Sequence, residues 1–185
     1  MTACLICLGE MGRRPALGAY HRDCLQRLFG AATIPEIDVE IAKLHTVGLA
    51  MVGRTSLSGV QRKVSLGLSA DRKTLQVALG AQRYILKPQT ETYPSLPENE
   101  HVTMRLAELA GLEIPPCGLF RLKDDSTAYL VLRFDRTPEG RKLRQEDFCQ
   151  LAQKSPKEKY DGVDSTKSKD PMNSSNVPWF TWGKK

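Results

Sequence analysis

Residues 84–111, YILKPQTETYPSLPENEHVTMRLAELAG, decide the fold. Arg83–Lys87 reads as an apolar strand, and Pro88 closes it because proline has no donor for a ladder. The strand ends on Lys87, whose ammonium points off the strand end. Residues 98–110 then place Val102, Leu106, Leu109 and Ala110 on one helical stripe, with Pro97 before the helix and Gly111 after it. Glu100 lies in the first turns of that helix. A strand lysine followed by a helix glutamate can form a pair that holds the lysine in place. Taken separately, an exposed lysine and a solvated acid are common.

The neighbouring segments supply more strands. KVSLGLSA at 63–70 and TLQVALG at 74–80 read as a hairpin across ADRK. CGLFRLKD at 117–124 and TAYLVLRFDR at 127–136 read as a second hairpin across KDDS, and QEDFCQLAQ at 145–153 starts a helix with acids near its N-terminus. The order predicts an α+β fold, a small antiparallel sheet carrying one or two helices. IDVEIAKLHTVGLA, starting at Ile37, reads as a short helix before this body.

Upstream lies a small-residue turn, RTSLSGVQRKVSL at 54–66. Ser56, Ser58 and Gly59 would let the main chain approach a phosphate, with Gln61 and Lys63 beyond them. Residues 51–75 carry Arg54, Arg62, Lys63, Arg72 and Lys73 against a single acid, Asp71. With one glycine it is neither a Walker A nor a G-x-G-x-x-G loop, and alone it reads equally as the start of a basic hairpin.

Composition narrows the class. The 185 residues are 41% hydrophobic and 26% charged, with 6% aromatics, enough for an aliphatic core. The net charge of +6 suits nucleic acid, phosphate ligands or acidic partners without choosing among them. No apolar run is long enough for a membrane span, and the first residues lack the order of a secretory signal. A cytoplasmic protein is expected, with its five cysteines as thiols or metal ligands.

Three of those cysteines sit in residues 1–30. Cys4-x2-Cys7 and His21-x2-Cys24 form two close pairs, which can converge on a tetrahedral, structural Zn²⁺ with no open position. The alternative is three small buried cysteines and a surface histidine. Cys117 and Cys149 read as core, and neither His45 nor His101 is given a catalytic role.

The run SLSGVQRKVSL, then YILKPQTETYPSLPENEHVTMRLAELAGLEIPP, YLVLRFDR and KLRQEDFCQLAQKSPKEKY resembles the HipA family of bacterial Ser/Thr kinases, and most of all its short HipT-like members. The resemblance implies a kinase small lobe over 54–160, after a Cys-rich leader at 1–30 and a linker region at 31–53. It implies ATP with Mg²⁺ as cofactor. By motif, Ser56 and Ser58 fall where HipT-like members autophosphorylate. Ser58, Gly59, Gln61 and Lys63 belong to the phosphate loop, Lys87 is the ATP lysine and Glu100 its helix partner. Leu132 to Phe134 match the hinge, whose main chain would meet the adenine edge. The family also implies a translation component, of the aminoacyl-tRNA synthetase class, as substrate. Its partners would be a helix-turn-helix antitoxin and a small HipS-like protein.

No catalytic-loop aspartate or metal-binding aspartate is recognised after Tyr160. Residues 161–185 read as a non-family tail, of the kind produced by a frameshift, a disrupted gene or a partial gene. A disordered docking tail with Trp179, Phe180 and Trp182 is the alternative. For this polypeptide the expectation is no phosphoryl transfer, weak ATP binding and poor solubility, with no catalytic residue assigned. A different class of function stays open: a zinc ribbon plus basic sheet that binds nucleic acid or protein. On the kinase reading, direct nucleic-acid binding is not expected.

Overall fold

A computed structural model describes residues 3–39, 63–77, 82–91, 93–137, 141–146 and 151. The chain divides into two units, Met1–Leu143 and Arg144–Lys185, and every element named here lies in the first.

The centre is a six-stranded sheet in the order β3-β5-β4-β6-β8-β7. Its strands are β3 (Glu36–Asp38), β4 (Val64–Leu68), β5 (Thr74–Val77), β6 (Tyr84–Pro88), β7 (Cys117–Arg121) and β8 (Thr127–Leu132). The two expected hairpins form, and their turns show why. Between β4 and β5, Ser69 Oγ donates to Asp71 Oδ1 at 2.6 Å and accepts from the N–H groups of Lys73 and Thr74 at 3.2 and 3.0 Å. Between β7 and β8, Ser126 Oγ donates to Asp124 Oδ1 at 2.6 Å, and Asp125 takes a left-handed φ of 61° that its short polar side chain tolerates. The family fold class, α+β, is observed.

One strand departs from expectation. Glu36–Asp38 is β3 rather than part of a helix, and it pairs in parallel with β5, Ile37 opposite Leu75. The alternation of exposed Glu36, buried Ile37 and exposed Asp38 is a strand period. The sheet is therefore mixed, not purely antiparallel. It also curls. Lys123, in the turn beside edge strand β7, bonds Glu36 and Asp38 of the opposite edge at 3.0 Å each. Of the expected helix at 145–153 only residues 145, 146 and 151 are described, and residues 40–50 lie outside the described residues.

The Cys-rich leader covers one face of this sheet. It holds a two-strand ladder, β1 (Ala16–Leu17) with β2 (Tyr20–His21), and α1 (Arg22–Phe29). Gly30 ends α1 with a φ of 70°, and its N–H bonds the Gln26 carbonyl at 2.8 Å, a cap that favours glycine. Leu25, Leu28 and Phe29 turn inward onto Leu66, Leu75, Leu86 and Leu130 of the sheet. Each such fully buried side chain stabilises the fold by roughly 1.5–3 kcal/mol. Tyr84 Oη donates to the Leu28 carbonyl and Arg72 Nη1 to the Phe29 carbonyl, tying the helix end to β6 and to the β4–β5 turn.

The other face carries α2 (Leu96–Leu109). Its apolar stripe does not face the sheet: Val102, Leu106 and Leu109 are 44%, 60% and 84% exposed. Packing instead uses buried Pro97 and His101, with Met104 against a small cluster of Cys117, Leu119 and Tyr129. The helix is oriented by its polar partners, described next, rather than by its most apolar side.

The leader also meets the outer edge of β7. Leu119 N–H donates to the Leu5 carbonyl at 2.9 Å, and Tyr20 Oη donates to the Leu119 carbonyl at 3.1 Å. Gly118 permits this approach, since a Cβ there would lie 2.7 Å from Ile6 Cγ1 and 3.2 Å from the Leu5 carbonyl oxygen. Gly118→Ala should therefore cost about 1–3 kcal/mol through overpacking. An unchanged urea midpoint for that variant would show that the contact yields freely.

Candidate functional site

The β6 register builds the first candidate site. Tyr84, Leu86 and Pro88 face the leader, whereas Ile85 and Lys87 face the α2 side. Lys87 pairs with Tyr129 across β8, and its Nζ lies 5.6 Å from the centroid of that ring. From α2, Glu100 reaches down and its Oε1 accepts a hydrogen bond from Lys87 Nζ. The two side chains are about one quarter exposed, at 23% and 25%, so the pair is shielded from solvent yet reachable from it. The next α2 residue, His101, is fully buried and packs on Tyr129 with centroids 6.2 Å apart. Burial, with Arg105 close by, pushes its ring down to about 4, so it is a neutral spacer rather than an acid or base.

Lys63 is described, half-buried, immediately before Val64, and Val64 pairs with Leu86. The register thus carries Lys63 to the end of the sheet that holds Lys87. Ser56, Ser58, Gly59 and Gln61 lie outside the described residues. Of the other basic residues near the loop, Arg72 is bonded to the Phe29 carbonyl on the leader side.

The segment after β8 is tightly organised. Arg133 forks onto Asp135 with Nε to Oδ1 at 2.8 Å and Nη2 to Oδ2 at 2.7 Å, and its Nη1 donates to Ser65 Oγ at 3.2 Å. Arg136 Nη1 adds a third bond to Asp135 Oδ2 at 2.6 Å. Arg133 and Asp135 are both buried. Leu132 N–H donates to the Pro116 carbonyl at 2.9 Å and Arg133 N–H to the Arg83 carbonyl at 2.7 Å. Those two donors are already used within the sheet. Leu132 packs toward the leader side, and Phe134 projects with 56% exposure. The R-x-D spacing is readable in the sequence; its fork geometry and its reach to Ser65 are not.

A second constellation lies in the leader. The ligand atoms of Cys4, Cys7, His21 and Cys24 all lie within 4.8 Å of one another. Cys4, His21 and Cys24 are completely buried, so His21 is not a surface residue. Its tautomer follows from its neighbours. Nε2 lies 3.2 Å from the Glu10 carbonyl, which only accepts, so Nε2 carries the hydrogen. Nδ1 keeps its lone pair, 3.4 Å from Cys7 Sγ. Each sulfur has an N–H donor: His21 N to Cys4 at 3.4 Å, Arg14 Nη2 to Cys7 at 3.0 Å, and Arg27 Nη2 to Cys24 at 3.6 Å. Burial raises the Cys7 thiol, but bonds from Gly9, His21, Cys24 and Arg14 outweigh it and bring it down to about 6. Burial pushes the Cys24 thiol up to about 12. Arg14 gave no sequence signal, because only the folded turn brings it 2.7 Å from His21 Nδ1 and 2.7 Å from Asp23.

Residues 55–174 match the family model described as HipA-like C-terminal domain. Over 153 residues the chain is 31% identical to a Haemophilus influenzae protein bearing the name "Putative kinase", covering 80% of this chain and 44% of that one. It is 37% identical over 111 residues to Y4mE of Sinorhizobium fredii, given the same designation, covering 58% of this chain and 26% of the relative. The chain thus spans less than half the length of these curated relatives. Among solved structures it is similar to HipA of Shewanella oneidensis MR-1 in a complex with HipB and operator DNA. There the identity is 31% and the TM-score 0.41, covering 55% of this chain and 24% of that one.

The Arg133–Asp135 fork gives a pH prediction. Arg133 holds the Asp135 carboxyl below the usual carboxylate range. Its contribution is complete above the unfolded value of about 4 and is lost as pH falls through the lower folded value. Asp135→Ala leaves Arg133 buried without its carboxylate and should cost about 3–5 kcal/mol at neutral pH. Urea midpoints measured from pH 7 downward should fall more steeply below pH ~4 in the wild type than in the variant. Parallel profiles would remove Asp135 as the source.

Proposed function

Because the chain belongs to the HipA-like C-terminal domain family, we propose that it carries the nucleotide-clamping small lobe of a HipA-like Ser/Thr kinase. The observation that carries this reading is the Lys87–Glu100 pair, joining β6 to α2 on one face of the sheet. A phosphoryl-transfer enzyme works mainly by positioning and charge neutralisation, and an ammonium fixed by a helix carboxylate meets that need. Lys63, at the same end of the sheet, would add charge for phosphates, with Ser58, Gly59 and Gln61 completing the loop. At the hinge, Phe134 and neighbouring carbonyls would meet the base, since the N–H groups of Leu132 and Arg133 already serve the sheet. ATP with Mg²⁺ is the nucleotide proposed. The 185-residue polypeptide by itself should bind it weakly and transfer no phosphoryl group, because no catalytic-loop or metal-binding aspartate is recognised in it.

For the whole protein, the proposed substrate is a translation component of the aminoacyl-tRNA synthetase class. The proposed partner is a helix-turn-helix antitoxin, with a small HipS-like protein as a second. Ser56 and Ser58 are proposed autophosphorylation sites, where roughly −2 charge each would collect beside a basic loop. The Cys4–Cys7–His21–Cys24 cluster is proposed as a structural Zn²⁺ site. Among the described residues no helix is long and apolar enough to cross a membrane.

The test is a thermal-shift titration with ATP and Mg²⁺. The wild-type chain should gain stability with nucleotide, and Lys87→Ala should abolish the gain while lowering basal stability by no more than about 1 kcal/mol. A shift that survives Lys87→Ala would remove the pair from nucleotide binding. Salt-sensitive nucleic-acid affinity indifferent to Lys87 would favour the binding-module reading instead.

A further inference from the structure

The Cys4–Cys7–His21–Cys24 cluster lies within the leader, and its first turn reaches the edge of the sheet that carries Lys87. Cys4 and Cys7 bracket Leu5 and Ile6, and this short turn meets three elements. The Leu5 carbonyl accepts the Leu119 N–H of edge strand β7 at 2.9 Å. The Leu5 side chain packs into the cluster of Cys117, Leu119 and Tyr129 together with Met104 of α2. Ile6 lies over Gly118, so closely that a Cβ there would be 2.7 Å away. Tyr129 and α2 are the elements that hold Lys87 and Glu100. The turn is therefore a wedge between the sheet edge and the helix that carries the glutamate.

What fixes the wedge is local. The turn's backbone bonds are Cys4 N–H to the Gly9 carbonyl at 2.9 Å, Leu8 N–H to the Cys4 carbonyl at 2.8 Å and Leu5 N–H to the Ala19 carbonyl at 3.0 Å, beside a bridge between Ala3 and Glu10. A left-handed Leu8, with φ of 56°, runs against the preference of its side chain. These bonds outline the turn within the leader, a disfavoured Leu8 works against them, and the cysteines flanking the turn are free of any disulfide. A tetrahedral Zn²⁺ has S–S edges of about 3.8 Å and S–N edges of about 3.5 Å, given Zn–S near 2.3 Å and Zn–N near 2.0 Å. The Cys7–His21 separation of 3.4 Å already fits, and the remaining separations, all within 4.8 Å, need to close by no more than about 1.3 Å.

Resting on the zinc reading above, we infer that one Zn²⁺, held by the three thiolates and His21 Nδ1, locks the Leu5–Ile6 turn as the brace for β7 and α2. Arg14 is a positioning residue for that ion. Three thiolates and one divalent cation leave one negative charge, which the guanidinium offsets from Cys7 Sγ while Asp23 anchors its other nitrogen. On metal binding His21 Nδ1 exchanges its Arg14 contact for the ion.

The experiment uses the full 185-residue chain under reductant. Metal content is measured first, then amide hydrogen exchange with zinc present and after removal by a chelator. The expected result is one zinc per chain. Removal should speed exchange at the Leu119 and Cys4 amides on the order of tenfold or more, with a smaller change at Leu86 in the sheet centre. Arg14→Ala should keep the stoichiometry and weaken zinc binding about tenfold, and Arg14→Lys should recover part of that loss. A reduced chain that neither carries nor takes up zinc overturns the zinc reading and the brace together. One zinc per chain, with Leu119 exchange unchanged on its removal, overturns the brace and leaves the zinc site standing.

Discussion

The two-residue alternation of β6 is the constraint on which the rest depends. Tyr84, Leu86 and Pro88 must go to the side that the leader covers, which leaves Ile85 and Lys87 to the other. Lys87 is thereby placed opposite Tyr129 and under Glu100 without any loop having to position it. A slip of one residue would bury the ammonium among leucines and expose Leu86, so the apolar face enforces the geometry of the charged one. The hydrophobic term is large and the ion pair is small, yet the first dictates where the second can form.

Polar groups then set the details that leucines cannot. Arg133, Asp135 and Ser65 form a buried knot that ties the end of β8 to β4, and this fixes the path of the chain as it leaves the sheet. The same rule governs α2. Its placement follows His101, Met104 and Glu100, and its leucine stripe is left outward. Buried charges are expensive unless paired, so their pairing geometry is specific in a way that apolar contacts are not.

Much of this was legible in the sequence, for physical reasons. Both hairpins were readable because Asp and Ser at turn positions act locally, over a few residues. Lys87 and Glu100 were readable because one lies near the end of a strand and the other in the first turns of a helix, with a short connection between; that Lys87 sits in register on the sheet face opposite Tyr129, not off the strand end, was not. The Cys4–Cys7 and His21–Cys24 spacing predicted convergence for the same local reason, and the four residues do converge. What escaped was non-local or competing. β3 joins β5 in parallel across a gap of more than thirty residues, which no local pattern announces. The helix α1, RDCLQRLF, is only eight residues long, too few turns for its face of Leu25, Leu28 and Phe29 to stand out as a period. The stripe on α2 was visible, but which way it faces is decided by partners on other strands. Ser56, Ser58, Gly59 and Gln61, although chosen from the sequence, lie outside the described residues.

The contact between Leu5 and Leu119 has a consequence for the order of synthesis. The leader leaves the ribosome first, but the strand it braces emerges more than a hundred residues later. Leu25 and Phe29 can settle on β4 to β6 as those strands emerge, but until β7 arrives Ile6 and Tyr20 lack the edge strand they cover, and contacts of such long sequence separation slow folding and leave apolar surface exposed meanwhile. An ion captured early would keep the turn in its final shape through that wait. The cysteine pairs would then serve as a timing device for a nascent chain as well as a fastening in the finished one.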